Sequence, residues 1–467
     1  MSNKLASLKG QIQNPRSKIF RKCFIKRRLL GTGLYETNWL DVSADVVKWG
    51  SVKKEVDASK VNSFKFSTVN LTFSNRFGKF NPADDENSIW YGYGDQQRTL
   101  VKIQVGFTYQ QKENGIWSNL EMPQESIWDF SGWDIDEWDL SNYAVFNGII
   151  SGDIALNGED QIKIPVAPLT EVFRLFSARR LTGWSSSLTA SGFIAMLRDQ
   201  VDSVGNYIFR PFFGDTSSGF VINTTTAIYS NLNTQTAADV IGATVWDVIE
   251  QLASAENFVP YASNEGYFNF TARDYLNSTS SYSFYGAGGF SSEYGQTLKK
   301  IGWYGKRYTK YYSRVSVKFN QDDTATSYAI EESTFRVSGD SSPWTLGERT
   351  LEVNNFWIPT LTSAETIAQE LFDEYSALRY EVEFTTSLVP HLDLLDRVDI
   401  TYDPTRPTAN SLWDAYDWGD DLVPIGETEL VWDSSGGDAI KLINKEFRLV
   451  SIEINLDTGE SKFIGRE

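Results

Sequence analysis

"VNSFKFSTVNLTFSN", residues 61–75, alternates apolar and polar side chains along its length. Phe64, Phe66 and Thr68 share one side, and the alternation continues through Leu71 and Phe73 on the other. A period of two places neighbouring side chains on opposite faces of a pleated strand, so the stretch predicts β structure with a buried face. "LVKIQVGFTY" (100–109) repeats the pattern, and short runs divided by Asn, Asp and Gly turns continue to about residue 170. They imply a basic arm over 1–35 followed by a β-barrel-like or sandwich domain over 36–175.

The period then changes. "TASGFIAMLRDQVDSV" (189–204) puts Phe193, Ile194, Leu197 and Val201 on one helical face. In "TVWDVIEQLASAENF" (244–258), Thr244 and Asp247 occupy capping-box positions before an apolar stripe of Val245, Ile249, Leu252 and Ala253. "FVPYASNEGYFNFTAR" (258–273) reads as a hairpin turning at Asn264-Glu265-Gly266. These elements make a small α+β domain over 176–290, with the Ser- and Gly-rich stretch 277–295 as its exit linker.

Strands return over 291–467, interrupted by one long helix in "LTSAETIAQELFDEYSALRY" (361–380). Thr362 and Glu365 stand at capping-box spacing there, and Ala364, Ile367, Ala368, Leu371, Phe372 and Tyr375 recur as a core stripe. The chain closes in a hairpin, "FRLVSIEINLDTGESKFIGRE". The fold class is therefore mainly β with α+β insertions, multi-domain, without a long-period repeat.

Charge is divided unevenly. Residues 1–35 contain nine Lys/Arg and no acid, leaving 34 bases against 61 acids and a net of −27 in the remainder. Such a body repels nucleic acid, so no specific nucleic-acid binding is expected. The arm, with Lys18, Arg21, Lys22, Lys26, Arg27 and Arg28, instead suits an acidic neighbour in an assembly. No apolar run is long enough for a membrane helix, and "MSNKLASLKGQ" has no apolar leader core, which points to synthesis in a cytoplasm.

Little in the chain carries chemistry. A triad or dyad would have to use His391, the one histidine, which follows Pro390 in a turn-like setting. Cys23 is the one cysteine, which excludes a disulfide within the chain and a cysteine zinc cluster. "GAGG" (286–289) lacks the lysine of a phosphate loop. No catalytic residue and no cofactor is expected, although 61 acids leave an unmarked glycosidase pair open.

"SIWDFSGWDIDEWDLSN" (126–142) is unusual: Trp128, Trp133 and Trp138 recur every five residues, each followed by Asp. Five fits neither helix nor strand, and the segment lacks the Gly and Glu that an EF-hand register requires. A calcium site using Asp134, Asp136 and Asp139 is the weaker reading. The preferred one is a surface excursion whose indoles pack on protein while the acids face water. Trp413 and Trp418 mark a similar segment near the C-terminus, so all five indoles are candidate subunit or partner contacts.

Several motifs in order carry a resemblance. Asn75, Gly78 and Phe80, then Tyr91-Gly92, Val101–Phe107 and "VFNGII" (145–150), followed late in the chain by "IAQELFDEYSALRYEVEF" and "LDLLDRVDITYD", resemble the tail hub proteins of long-tailed phages, the baseplate hub or minor tail proteins. The chain departs from that pattern in two places. Phe77-Gly78-Lys79-Phe80 stands for Asp-Gly-Arg-Phe, and Leu394-Leu395-Asp396 for Leu-Gly-Asp.

The resemblance implies a non-enzymatic virion protein at the tail tip, assembled in the host cytoplasm into a ring, with three subunits as the first expectation. It would close the tail tube, form the conduit for DNA ejection, and contact the distal tail or tail tube protein, the tape measure protein and a central fibre or spike. It implies no membrane partner. Two alternatives remain: a carbohydrate-binding tail-tip adhesin using the tryptophans as shelves, and a cell-wall-cleaving tail enzyme.

Overall fold

The computed structural model describes residues 17–31, 34–56, 64–82, 85–94, 96–113, 116–120, 142–156, 160–185, 187–214, 216–229, 242–272, 280–286, 297–306, 312–320, 330–336, 349–355, 357–358, 361–375, 379–403 and 442–467. The protein is mainly β with a few helices.

Its first sheet contains β1 (Ser17–Lys26), β2 (Leu40–Asp41), β3 (Val46–Lys48), β6 (Val69–Ser74), β7 (Leu100–Glu113), β9 (Asn142–Ile150) and β11 (Gln161–Pro168), ordered β2-β1-β7-β9-β11-β6-β3. Short β8 (Ile116–Leu120) and β10 (Ala155–Leu156) add to β7 and β11. The second sheet runs β15 (Ser280–Tyr285), β21 (Arg397–Tyr402), β22 (Leu442–Asn455), β23 (Glu460–Arg466), β20 (Tyr380–Ser387), β16 (Leu298–Lys306). β4 (Ser51–Val56) pairs with β22 in this sheet, and β5 (Phe64–Phe66) pairs with β4.

The stretch 61–75 thus crosses between sheets. Phe64 and Phe66 belong to β5 in the second, whereas Val69, Leu71 and Phe73 lie buried on β6 in the first. The change of side after Phe66 is the crossover itself, at Ser67–Thr68. The preceding crossing, β3 to β4, turns at Gly50, whose φ is +72°. A Cβ there would meet the Asn70 carbonyl oxygen at 3.0 Å, so both the backbone and the space favour glycine. One apolar core fills the space between the two sheets, uniting Ile103, Leu71 and Val105 with Phe284, Phe384 and Phe463.

A second core organises the other lobe. It takes α1 (Glu171–Arg174), α2 (Ala190–Arg198), α3 (Val245–Glu256) and the sheet of β12 (Phe220–Ile222), β14 (Phe268–Ala272) and β13 (Phe258–Ala262). It also takes the sheet of β18 (Ile330–Arg336), β17 (Arg314–Asn320) and β19 (Thr350–Asn354), together with α4 (Leu361–Tyr375). The cores divide the chain differently from the linear scheme. Residue 290 separates no cores, because Val315, Val353, Ala364 and Ile367 pack with Phe193, Ile249 and Phe268. The barrel-like region over 36–175 likewise shares its core with the C-terminal strands.

Three local readings are corrected. Ser280–Tyr285, inside the expected linker, is a strand with Tyr282 and Phe284 buried; serine-rich composition hid its alternation. α2 stops at Arg198, and Val201 is 47% exposed rather than on the helical stripe. Asp202 accepts the N–H groups of Val204 and Asn206, offering the backbone a turn in place of further helix. Thr362 lies within α4, after Leu361, so it is not the N-cap. The box at Thr244 and Asp247 forms with both reciprocal bonds.

The lobes meet at a polar latch. Lys54 of β4, 3% exposed, donates to Asp393 Oδ1 at 3.0 Å and to the side-chain oxygen of Asn264 in the β13–β14 turn. Asn147 of β9 donates to the Asn264 carbonyl, so one turn touches both sheets. Removing one partner of such a pair strands a buried charge, whereas replacing both need not. Asp393→Ala is expected to cost about 3 kcal/mol, read as a lower midpoint for the first calorimetric transition. Lys54→Met with Asp393→Leu should recover most of that loss.

The loop after α2 supplies a second expectation. Hydrogen bonds from Arg198, then from Arg210, hold the Asp199 carboxyl down to about 2. Because the folded value lies below the unfolded one, the associated stability is full above the ordinary carboxylate range, near about 4, and fades as pH falls toward about 2. A 13C carboxyl titration should find Asp199 among the most acidic aspartates, and Arg210→Met should raise its midpoint.

Candidate partner-contact face

β1 is a strand because its residues alternate, and it lies beside β7 over ten paired residues from Ser17↔Tyr109 to Lys26↔Leu100. Cys23 and Ile25 point into the shared core. Burial, and then the Asp41 charge, push the Cys23 thiol well above its ordinary range, so it is an inert core group. The opposite parity carries Phe20, Lys22, Phe24 and Lys26, all half-buried.

That outer face is cationic and aromatic. Lys22 Nζ stands 5.9 Å from the Phe20 ring centre, and Lys26 and Lys102 stand 6.0 and 5.4 Å from the Trp39 ring. Aromatic rings beneath ammonium groups keep the charges at the surface with their stems packed, an arrangement suited to an acidic protein surface. Lys18 belongs to the same strand, in register with Thr108.

The remaining basic residues serve the fold. Arg21 Nη2 donates to the Asp457 carbonyl at 3.1 Å, and burial lowers its guanidinium below the ordinary value while Asp457 acts in the opposite direction. The Asp457 carboxylate accepts from the N–H groups of Trp49 and Gly50 at 2.9 and 3.1 Å, so the β22–β23 turn is pinned against the first sheet. Arg27 is bound bidentately to Glu36, with 2.7 Å between Nη2 and Oε2. It also donates to the Ile89 carbonyl and to Tyr93 Oη, and it stacks on the Tyr93 ring at 3.7 Å. Arg28 accepts Gly94 N–H through its carbonyl and forms a bridge with Tyr35. The sequence could not separate these roles, because every member of the run has the same charge and only the parity and the turn after Lys26 distinguish them.

The motif residues also serve local structure. Asn75 Oδ1 accepts Phe80 N–H at 2.8 Å; Gly78 has φ +71°, and a Cβ on it would meet Asn81 Nδ2 at 2.9 Å. Phe80 is buried against Phe73 and Trp90, with ring centres 4.6 and 6.0 Å away. Leu395, where the resembled pattern has glycine, adopts φ +71° and is 4% exposed. A leucine there carries strain of about 1 kcal/mol, offset by the burial of its side chain.

Other candidates do not converge. His391 sits in a turn with its ring 5.3 Å from that of Tyr282. Among the described residues no group of three His, Cys, Asp or Glu side chains could hold a metal. A cleft of about 620 Å³ between α4 and β22 carries both signs of charge. Arg379 there donates to the Asp373, Glu374 and Glu467 carbonyls, tying the end of α4 to β23. Asp134, Asp136, Asp139, Trp128, Trp133, Trp138, Trp413 and Trp418 lie outside the described residues.

No family model matches the chain, and no curated protein does. Among solved structures, it is similar to the 43 kDa tail protein of prophage MuSo2 from Shewanella oneidensis, at 12% identity over 96% of this chain and 98% of that one, TM-score 0.44. A tail protein from Neisseria meningitidis MC58 aligns at 10% identity over 96% of each chain, TM-score 0.47. Prophage tail protein gp18 from Listeria monocytogenes EGD-e aligns at 9% over 95% and 94%, TM-score 0.44.

Arg27 gives this face its test. Arg27→Leu should leave Glu36 half-buried without its cation and lower stability by about 2 kcal/mol. Hydrogen exchange should quicken at Leu29 and Glu36, whose amides close the hairpin onto Leu34 and Arg27.

Proposed function

We propose that the protein is a structural, non-enzymatic component of a phage tail, a hub at the tail tip that assembles as a ring around the path of the ejected DNA. The observation that carries this reading is the interlaced double-sheet body. β4 and β5 belong to the early part of the chain and lie in the sheet of the late part, so a load tending to separate the sheets acts on a strand ladder rather than on a linker. A part that transmits force along a tail needs that property. The ordered motifs from Asn75 to Asp396 support the same reading.

The acidic remainder suits a lumen through which DNA slides without adhering, and the lysine-bearing face of β1 suits a neighbour's acidic surface. Lys22 and Lys26 belong to that contact, whereas Arg27 is held for the fold. A ring of three, the distal tail or tube protein, the tape measure protein and a central fibre or spike are the proposed partners.

Immunogold labelling of virions should place the protein at the tail tip, and electron microscopy of the purified chain should show closed rings. Lys22→Glu with Lys26→Glu should abolish the rings at only a small cost in thermal midpoint, that of the lost contacts with the Phe20 and Trp39 rings. Label along the tail shaft, or a charge-reversed protein that still closes rings, would overturn the hub or its contact face respectively.

A further inference from the structure

The loop after α2 displays apolar side chains on a rigid turn. Val201 and Tyr207 bridge at its base, and Val204 at the tip is 82% exposed. Asp202 Oδ1 accepts Val204 N–H at 2.8 Å and Asn206 N–H at 2.9 Å, while Asp202 N–H donates to the Asn206 carbonyl at 2.9 Å. A side chain presented by a turn already fixed in this way loses little freedom on being covered.

Arginines surround the base. Arg198 and Arg210 both pair with Asp199, and the Arg210 guanidinium stacks on Tyr207 at 3.5 Å. Gln200, buried, accepts Thr182 N–H at 3.1 Å and donates to the Thr182 carbonyl at 2.7 Å. That exchange holds the turn carrying exposed Arg179 and Arg180 beside the loop. Four arginines against Asp199 and Asp202 leave a local net of +2 in a chain whose net charge is −18.

We propose that this loop is a docking knob for an acidic protein segment bearing apolar side chains. Val201, Val204 and Tyr207 enter the apolar contact, and Arg179 and Arg180 meet the segment's carboxylates. Arginine and tyrosine set around an apolar centre are the composition of protein interfaces. A bilayer fits less well. Membrane attraction grows with the number of uncompensated basic groups, and with Arg198 and Arg210 paired to Asp199 only Arg179 and Arg180 remain, enough to meet two carboxylates of a segment but short of a polybasic cluster.

The test uses the full chain and a fluorescein-labelled peptide of sequence SIWDFSGWDIDEWDLSN, chosen because it combines three indoles and five carboxylates with no base. Its counterpart carries Asn and Gln for every Asp and Glu. Fluorescence anisotropy should show saturable binding of the acidic peptide. Val204→Asp, Arg179→Glu with Arg180→Glu, and the amide counterpart should each weaken it on the order of ten-fold. Val221→Asp, at another exposed valine, should not. Unchanged thermal midpoints keep the variants interpretable. Absence of binding, or binding indifferent to the knob variants, would overturn the proposal. So would tighter capture by vesicles of equal parts phosphatidylserine and phosphatidylcholine that the same variants abolish, which would assign the loop to membranes.

Discussion

Five backbone pairs between β4 and β22, from Ser51↔Asn455 to Glu55↔Ser451, make two sheets into one body. Each sheet alone would expose a face of Phe, Ile and Val, and only their apposition buries both. The ladder fixes that apposition, and Lys54 stands on it opposite Ile452. From the same position its ammonium reaches Asn264 in the second lobe and Asp393 before β21. Main-chain pairing therefore sets the arrangement of the sheets, and the buried cation, with Asn147 bonded to the same turn, ties the other lobe to them. Specific hydrogen-bonded partners make the latch selective for a single docking, because a buried ammonium tolerates few alternative positions.

Much of the architecture was legible in the sequence, but not its connectivity. Alternation identified the strands, and the box at Thr244 and Asp247 marked the start of α3. Alternation does not say which sheet a strand joins. In residues 61–75 the exchange of sides after Phe66 recorded a crossover, yet a local irregularity in one strand would give the same pattern. Val201 was misplaced because helical spacing continued past the point where Asp202 and Gln200 supply competing hydrogen bonds. The strand at Ser280–Tyr285 was hidden by its serines, which are ordinary outward residues once Tyr282 and Phe284 face the core.

Charge was read correctly in amount and incompletely in role. A run of like charges suggests a surface device, but a strand divides such a run by parity. Lys22 and Lys26 face outward over aromatic rings, while Arg21 reaches the β22–β23 turn and Arg27 is surrounded by Glu36, Tyr93 and Ile89. Arginine fits the second task because its planar fork satisfies several acceptors at once. Within this run the fold thus assigns Lys22 and Lys26 to the outer face and Arg21 and Arg27 to internal joints.

The strand exchange also orders events in time. The Asp457 carboxylate that closes the turn at Trp49 is separated from it by 408 residues. At ~5–20 residues per second, a ribosome takes roughly 20–80 s to supply it. During that interval β4 and β5 have no sheet to join, and the inner faces of β6 and β7 have no apolar layer opposite them. The second lobe, whose early elements lie between these distant partners, can begin to form first. Non-local pairing of this kind slows folding and leaves aggregation-prone surface open until synthesis is nearly finished. The interlacing that joins the two sheets in the finished protein is therefore also the step in its biogenesis most exposed to chaperone dependence.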